Sequence, residues 1–205
     1  PNQAVSVKSQ IKINERRNQT PPLRKVRDII LKKSRSLVRK LTSFDKKYLN
    51  RAGERLRLLT RDSAATPELA DGTVRLVVTS PPFLNVVDYA VDNWLRCWFI
   101  GVDADRVPIT MLPRLEDWTE KMRQVFLELH RLLTPGGWVA FEVGEVNKGT
   151  VRLEEYVIPA AHAAGLRPVL VLINSQTFTK TANCWGVSNN SLGTNTNRIV
   201  LLGKE

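Results

Sequence analysis

Between Leu56 and Leu202, short apolar runs bounded by turn formers alternate with stretches of helical period, and this alternation restricts the chain to an α/β fold. Five runs read as strands: Leu56–Thr60, Val74–Thr79, Trp138–Val143, Pro168–Ile173 and Asn197–Leu202. They are nearly continuous in apolar residues rather than alternating, which is the pattern of strands buried on both faces of a parallel sheet. Helices are expected over residues 87–100, 115–133 and 153–164. The second has the clearest period, through Trp118, Met122, Val125, Phe126, Leu129 and Leu132, and Thr134-Pro135-Gly136-Gly137 follows where a helix should stop. The expectation is a mainly parallel, doubly wound sheet in one α/β domain, a size well matched to 205 residues.

The front of the chain is different in kind. Residues 1–57 hold 17 Lys and Arg against 4 Asp and Glu, a net of +13, while the whole chain carries +11. The excess positive charge is therefore all at the front, which fits a polyanionic partner as well as it fits a solvated basic helix. Residues 1–21 read as irregular, and Leu23, Val26, Ile30, Leu37, Leu41 and Phe44 mark one long basic amphipathic helix from Pro22 to Tyr48. The organisation expected is a basic, largely helical segment over residues 1–50 and the α/β part over residues 51–205.

Several function classes are set aside by composition. No apolar run is long enough for a membrane span, and nothing resembles a signal peptide. Cys97 and Cys184 are isolated, so no zinc site or disulfide framework is indicated, no metal is expected, and a reducing cytoplasm is the default location. His130 and His162 have no nearby partner in sequence that points to chemistry.

The chemistry is concentrated where the strand Val74–Thr79 ends, at Ser80-Pro81-Pro82-Phe83. In open α/β sheets, ligands bind beyond the carboxyl ends of the strands. Two prolines lock two φ angles and remove two backbone donors, so the local carbonyls are rigidly aimed and not consumed by a helix. Such a turn offers a hydroxyl, a carbonyl and an aromatic face to a planar group bearing an amine. Ser80 and the Pro81 carbonyl would accept from the NH2 group, and Phe83 would stack on the ring.

These residues resemble the [DNS]-P-P-[YFW] motif of S-adenosylmethionine-dependent amino-methyltransferases acting on DNA bases, whose Ser form is typical of the N4-cytosine enzymes. Further stretches resemble the same family in the same order: "RDSAATPELADGTVRLVVTSPPF" around the motif, "LLTPGGWVAFEVG" for the next strand and "GTNTNRIVLLGK" for the last. The resemblance covers about 150 residues from Arg51 onward. It implies a Rossmann-like methyltransferase sheet, S-adenosylmethionine as cofactor, DNA as partner, and Ser80, Pro81, Pro82 and Phe83 as the catalytic turn. It further implies cofactor contacts from Asp62, Ser63 and Ser80, and substrate contacts from Phe83, Asn85 and Asp88. A turn or helix-capping role is open for Asp62, and a capped helix for Asp88. Glu142 and Glu145 also lie on the crevice side, and residues 180–198 read as a polar surface loop or a disordered one.

The chain departs from the family in two linked respects. It has no Gly-x-Gly, the turn that lets a backbone approach this cofactor, and five expected strands stand against the family's seven. The expectation is a sheet without its first two strands, and a cofactor site completed by a segment upstream of Pro1 or by a partner chain. Open alternatives are an RNA or protein-glutamine amino-methyltransferase, and a nucleic-acid-binding module without catalysis.

Overall fold

The computed structural model describes residues 7–20, 23, 25–82, 84, 88–146, 150–175 and 196–205. The chain divides into two compact units, Gln3–Thr60 and one built on Arg61–Glu205.

The first unit is helical: α1 (Val7–Arg17), α2 (Val26–Val38) and α3 (Ser43–Glu54). The single helix expected from Pro22 to Tyr48 is therefore two, and the break has a local cause. The Thr42 hydroxyl accepts from the Asp45 N–H at 3.1 Å while the Asp45 carboxylate accepts from the Thr42 N–H at 2.8 Å, a reciprocal capping box. The Thr42 hydroxyl also donates to the Asp45 carboxylate at 2.7 Å, and this bond first, then the one from the Thr42 N–H, holds the Asp45 carboxyl below its ordinary pKa. A continuous helix would forfeit this cap. α1 occupies a stretch expected to be irregular, and the Gln10 amide donating to Asn14 at 2.8 Å bridges one of its turns. No residue of α2 or α3 is buried.

The strand expected at Leu56–Thr60 does not form. Leu56 and Leu58 are exposed and no strand pairs with them among the described residues. An apolar run becomes a strand only where a neighbouring ladder takes up its backbone groups, and the described residues offer it none.

The second unit is an α/β sheet. Its strands are β1 (Val74–Thr79), β2 (Leu133–Val146), β3 (Val151–Arg152), β4 (Arg167–Ser175) and β5 (Thr196–Gly203). The sheet order is β1-β2-β5-β4, with β3 paired to the end of β2. β1 and β2 are parallel, as the intervening helices α4 (Tyr89–Phe99) and α5 (Leu115–Leu132) require of a crossover. β5 is antiparallel to both β2 and β4, so the sheet is mixed rather than mainly parallel. Three of the four main strands still share one direction, and the Rossmann-like alternation of strand and helix expected from the sequence is present. The reversed strand is the one that follows its predecessor, β4, without a described helix between them.

α5 and α6 (Glu154–Ala163) pack on one face of the sheet. Val139, Phe141 and Val143 of β2 and Val200 and Leu202 of β5 point into this layer and are wholly buried. The period-two alternation sends Trp138, Leu76, Val78, Leu170 and Leu172 to the opposite face, where Leu76 is 60% and Val78 74% exposed. An apolar face of this kind is unusual for a strand with parallel neighbours.

Charged side chains fasten the edges of the core. Lys204 reaches back to α5, donating to the carbonyls of His130 at 2.7 Å and Leu133 at 2.9 Å. A cation on the last carbonyls of a helix is favourable both as a cap and against the helix dipole. The connection Arg61–Thr73 contains turns but no helix, and it is pinned to α5 by Glu128 and Arg131. Glu128 accepts from the Thr66 N–H at 2.7 Å, from the Thr66 hydroxyl at 2.6 Å and from Arg131 at 2.8 Å. Arg131 in turn donates to the carbonyls of Leu69 and Thr66 and pairs with Asp71.

The Glu128 carboxyl is pushed down to about 2, chiefly by its bond to Arg131 and further by Thr66. A depressed carboxylate stabilises the fold at pH above its unfolded value, 4.5, and that contribution is lost as pH falls toward 2. Acid unfolding followed by circular dichroism is expected to show a steep loss between pH about 4.5 and about 2. Glu128→Gln should be less stable at neutral pH and should have a shallower slope in that window. Equal slopes in the two proteins would show that Glu128 is not the titrating brace.

Candidate active site at the carboxyl end of the sheet

β1 pairs with β2 through Leu76–Trp138, Val77–Val139, Val78–Ala140 and Thr79–Phe141. Ser80, Pro81 and Pro82 therefore leave the sheet beside the central strand, at the end where β2 runs on through Glu142, Gly144 and Glu145. Ser80 is exposed, and the two prolines are half-buried. Leu84 is buried in the core and anchors the far side of the turn. Phe83 and Asn85 lie outside the described residues, as does most of the 180–198 loop; its last three residues, Thr196, Asn197 and Arg198, begin β5.

The first half of α5 holds two of the expected site segments. The indole Nε1 of Trp118 donates to the carbonyl of Pro82 at 2.9 Å. Three residues on, Lys121 Nζ donates to Asp62 Oδ2 at 2.6 Å. Positions three apart share a helix face, so the Asp62 turn and the Ser80–Pro82 turn are fixed to the same side of α5. The other Asp62 oxygen, Oδ1, accepts from the Ala64 N–H at 2.9 Å. The Lys121 bond, then that N–H, hold the Asp62 carboxyl below its ordinary pKa, so it is an anion at neutral pH. Asp62 is still 53% exposed at its side chain, and Ser63 beside it is exposed.

Asp88 is the N-cap of α4, its carboxylate accepting from the Val91 N–H at 3.1 Å. α4 presents Val91, Trp94, Trp98 and Phe99 as exposed side chains. Cys97 is half-buried on this helix.

A buried ion triad braces the same end of the sheet. Arg198, at the start of β5, donates to Glu145 Oε2 at 3.0 Å and meets Glu154 Oε1 at 2.7 Å. The three side chains are 8%, 14% and 11% exposed. One guanidinium thus ties the exit of β2, the first turn of α6 and the entry of β5. Glu145 belongs to this brace, and Glu142 on the opposite face of β2 is half-buried.

Sequence reasoning missed Trp118 and Lys121 as the partners of Pro82 and Asp62, because a place on a helix accounts for both without those bonds. One signal was available. A tryptophan at the centre of an apolar stripe carries an N–H that needs a partner once buried. Among the described residues no cluster of His, Cys, Asp and Glu could hold a metal, and no helix is long and apolar enough to cross a membrane.

No protein-family profile and no curated protein sequence matches the chain. Among solved structures it is similar to a candidate DNA modification methylase from Thermus thermophilus complexed with S-adenosyl-L-methionine, at 17% identity and a TM-score of 0.43, over 70% of this chain and 53% of that one. It is similar to the N-methyltransferase NodS from Bradyrhizobium japonicum WM9 at 14% identity and a TM-score of 0.41, covering 80% and 69% of the two chains. PvuII DNA methyltransferase, cytosine-N4-specific, aligns at 13% identity and a TM-score of 0.46 over 72% and 48%. The chain spans about half the length of the Thermus protein, 47–53% across its three structures.

Proposed function

We propose that this chain carries the acceptor side of an S-adenosylmethionine-dependent methyltransferase that modifies an exocyclic amine of a DNA base. Cytosine N4 is favoured over adenine N6 because serine leads the tetrapeptide. The observation that carries the proposal is the Ser80-Pro81-Pro82 turn at the carboxyl end of β1, held by Trp118 against the core.

The amine of cytosine is a weak nucleophile because its lone pair is delocalised into the ring. The Ser80 hydroxyl and the Pro81 carbonyl accept from the two N–H groups and draw the nitrogen toward sp³ geometry, which localises that lone pair. The residues do this by position and electrostatics, with no covalent step on the protein. S-adenosylmethionine supplies an electrophilic methyl group when bound. A base within a duplex must leave the stack to reach this turn, and Phe83 is proposed as the platform that receives it, with Asn85 and Asp88 at the rim.

On the donor side, the residues present fit in part. Asp62 is ionised, held in place and half exposed, and with Ser63 it is proposed to contact the cofactor. The glycine turn has no counterpart in this sequence. We place that part of the cradle on a further polypeptide segment or on a partner chain. The exposed apolar side chains Leu76 and Val78 of β1, the edge strand among the described residues, support an added layer there. The basic unit before Arg61 is proposed to meet DNA phosphates.

A second proposal, a nucleic-acid-binding module without catalysis, draws on the front-end charge and the missing glycine turn. The two separate in one experiment. The complete protein is incubated with methyl-labelled S-adenosylmethionine and DNA, and the DNA is digested to nucleosides. Label in N4-methylcytosine or N6-methyladenine is the expected result. DNA retention with no label would favour the binding module, and label on RNA or on protein alone would move the substrate.

A further inference from the structure

The Ser80–Pro82 turn cannot hold itself in place. Pro81 and Pro82 have no N–H to give, so neither proline can tie the turn down through a backbone donor of its own, and the aim of their carbonyls must be set by a donor from elsewhere. Proline fixes φ by its ring and leaves ψ as the soft dihedral. For Pro82 that dihedral is the one that aims its carbonyl.

Trp118 supplies the donor. Its indole N–H meets the Pro82 oxygen at 2.9 Å, and the residue is 3% exposed, in the same core cluster as Leu84. The backbone beneath it is equally fixed, because the Trp118 N–H donates to the Arg114 carbonyl in the first turn of α5. The donor is therefore mounted on a helix whose other side chains, Met122, Val125 and Phe126, form the core. Among the described residues no hydrogen bond is made to the Pro81 carbonyl or the Ser80 hydroxyl. Among the described residues, then, one carbonyl of the proline pair is bonded and the other is not.

We infer that Trp118 is the positioning residue of the acceptor turn: its indole N–H locks the Pro82 carbonyl and so holds Pro81 and Ser80 in the arrangement that receives the amine. The inference rests on the methyl-transfer proposal and deepens it. A tryptophan that only filled the core would work as well without its N–H. A positioning tryptophan would not.

The test exchanges that atom alone. Trp118 is replaced in the complete protein by β-(3-benzothienyl)alanine, which keeps the bicyclic shape and puts sulfur where the N–H is, and separately by phenylalanine. Labelled methyl transfer to DNA is measured with thermal unfolding, and the wild-type indole proton is followed by 15N-resolved hydrogen exchange. Turnover of the benzothienyl protein is expected to fall about 10- to 100-fold, with KM for DNA and the melting temperature little changed. The wild-type Trp118 indole proton should be among the slowest of the indoles to exchange. Benzothienyl turnover equal to wild type overturns the inference, as does an indole proton that exchanges freely. If wild type transfers no methyl group to any substrate, the functional proposal fails instead, and the exchange measurement still decides whether Trp118 locks the turn. Trp118→Phe is read only beside the benzothienyl protein, since its loss of ring volume lowers stability as well.

Discussion

Arg198→Ala is expected to destabilise the α/β unit by about 3–5 kcal/mol, because it leaves two buried carboxylates without their shared cation. Glu145 and Glu154 both face the Arg198 guanidinium, and neither has much access to water. The two negative charges would then repel across the gap where β2, β5 and α6 meet. Arg198→Lys should recover only part of the loss, since one ammonium cannot present the planar fork that serves two carboxylates at once. Urea unfolding gives the difference directly, and a loss below about 1 kcal/mol, the range of surface pairs, would mean that the triad is solvated.

Phe126→Ala should cost about as much, roughly 3–5 kcal/mol, by opening a cavity in the layer between α5 and the sheet. Phe126 is wholly buried, and its ring centroid lies 4.7 Å from that of Phe141 on β2, tilted by 54°. The pair joins the helix that carries Trp118 to the strand beside the acceptor turn. Loss of the ring therefore removes both transfer free energy and an aromatic contact of favourable geometry. Phe126→Leu should lose much less, because it refills most of the volume. If the alanine and leucine proteins unfolded at the same urea concentration, this layer would not be the core.

The parts legible in the sequence are those with a strong period and a local stop. α5 is found to within a residue, and β1 over its full length, because the apolar positions leave no competing arrangement. The failures share a cause of the opposite kind. Leu56–Thr60 looks like a strand one residue at a time, but pairing is a property of two segments and cannot be seen in one. The direction of β5 depends on the connection to β4, and an apolar run is silent about direction. The break between α2 and α3 was written in Thr42-Ser43-Phe44-Asp45, a capping box overridden by the longer apolar stripe.

For the candidate site, the tetrapeptide points to a strand end, and Ser80, Pro81 and Pro82 follow β1 there; the chemistry assigned to them is the proposal made above. The supports of the turn did not follow from the sequence. Trp118 and Lys121 are 36 and 59 residues from the groups they hold, and only the fold brings them there. Asp62 and Asp88 show why a residue type alone decides little, since each makes a local turn or cap bond that its position in sequence equally allowed.

The central claim is that Ser80 and the proline turn receive an amine. The measurement that tests it most directly is the initial rate of labelled methyl transfer from S-adenosylmethionine to DNA by the complete protein, wild type against Ser80→Ala, with unfolding curves to show that both are folded. Ser80 is exposed and outside the core, so its replacement should leave stability within about 0.5 kcal/mol. The predicted result is a rate lower by about 100-fold or more, from loss of a hydrogen bond made to the reacting amine. A folded Ser80→Ala protein that methylates DNA at the wild-type rate would contradict the account.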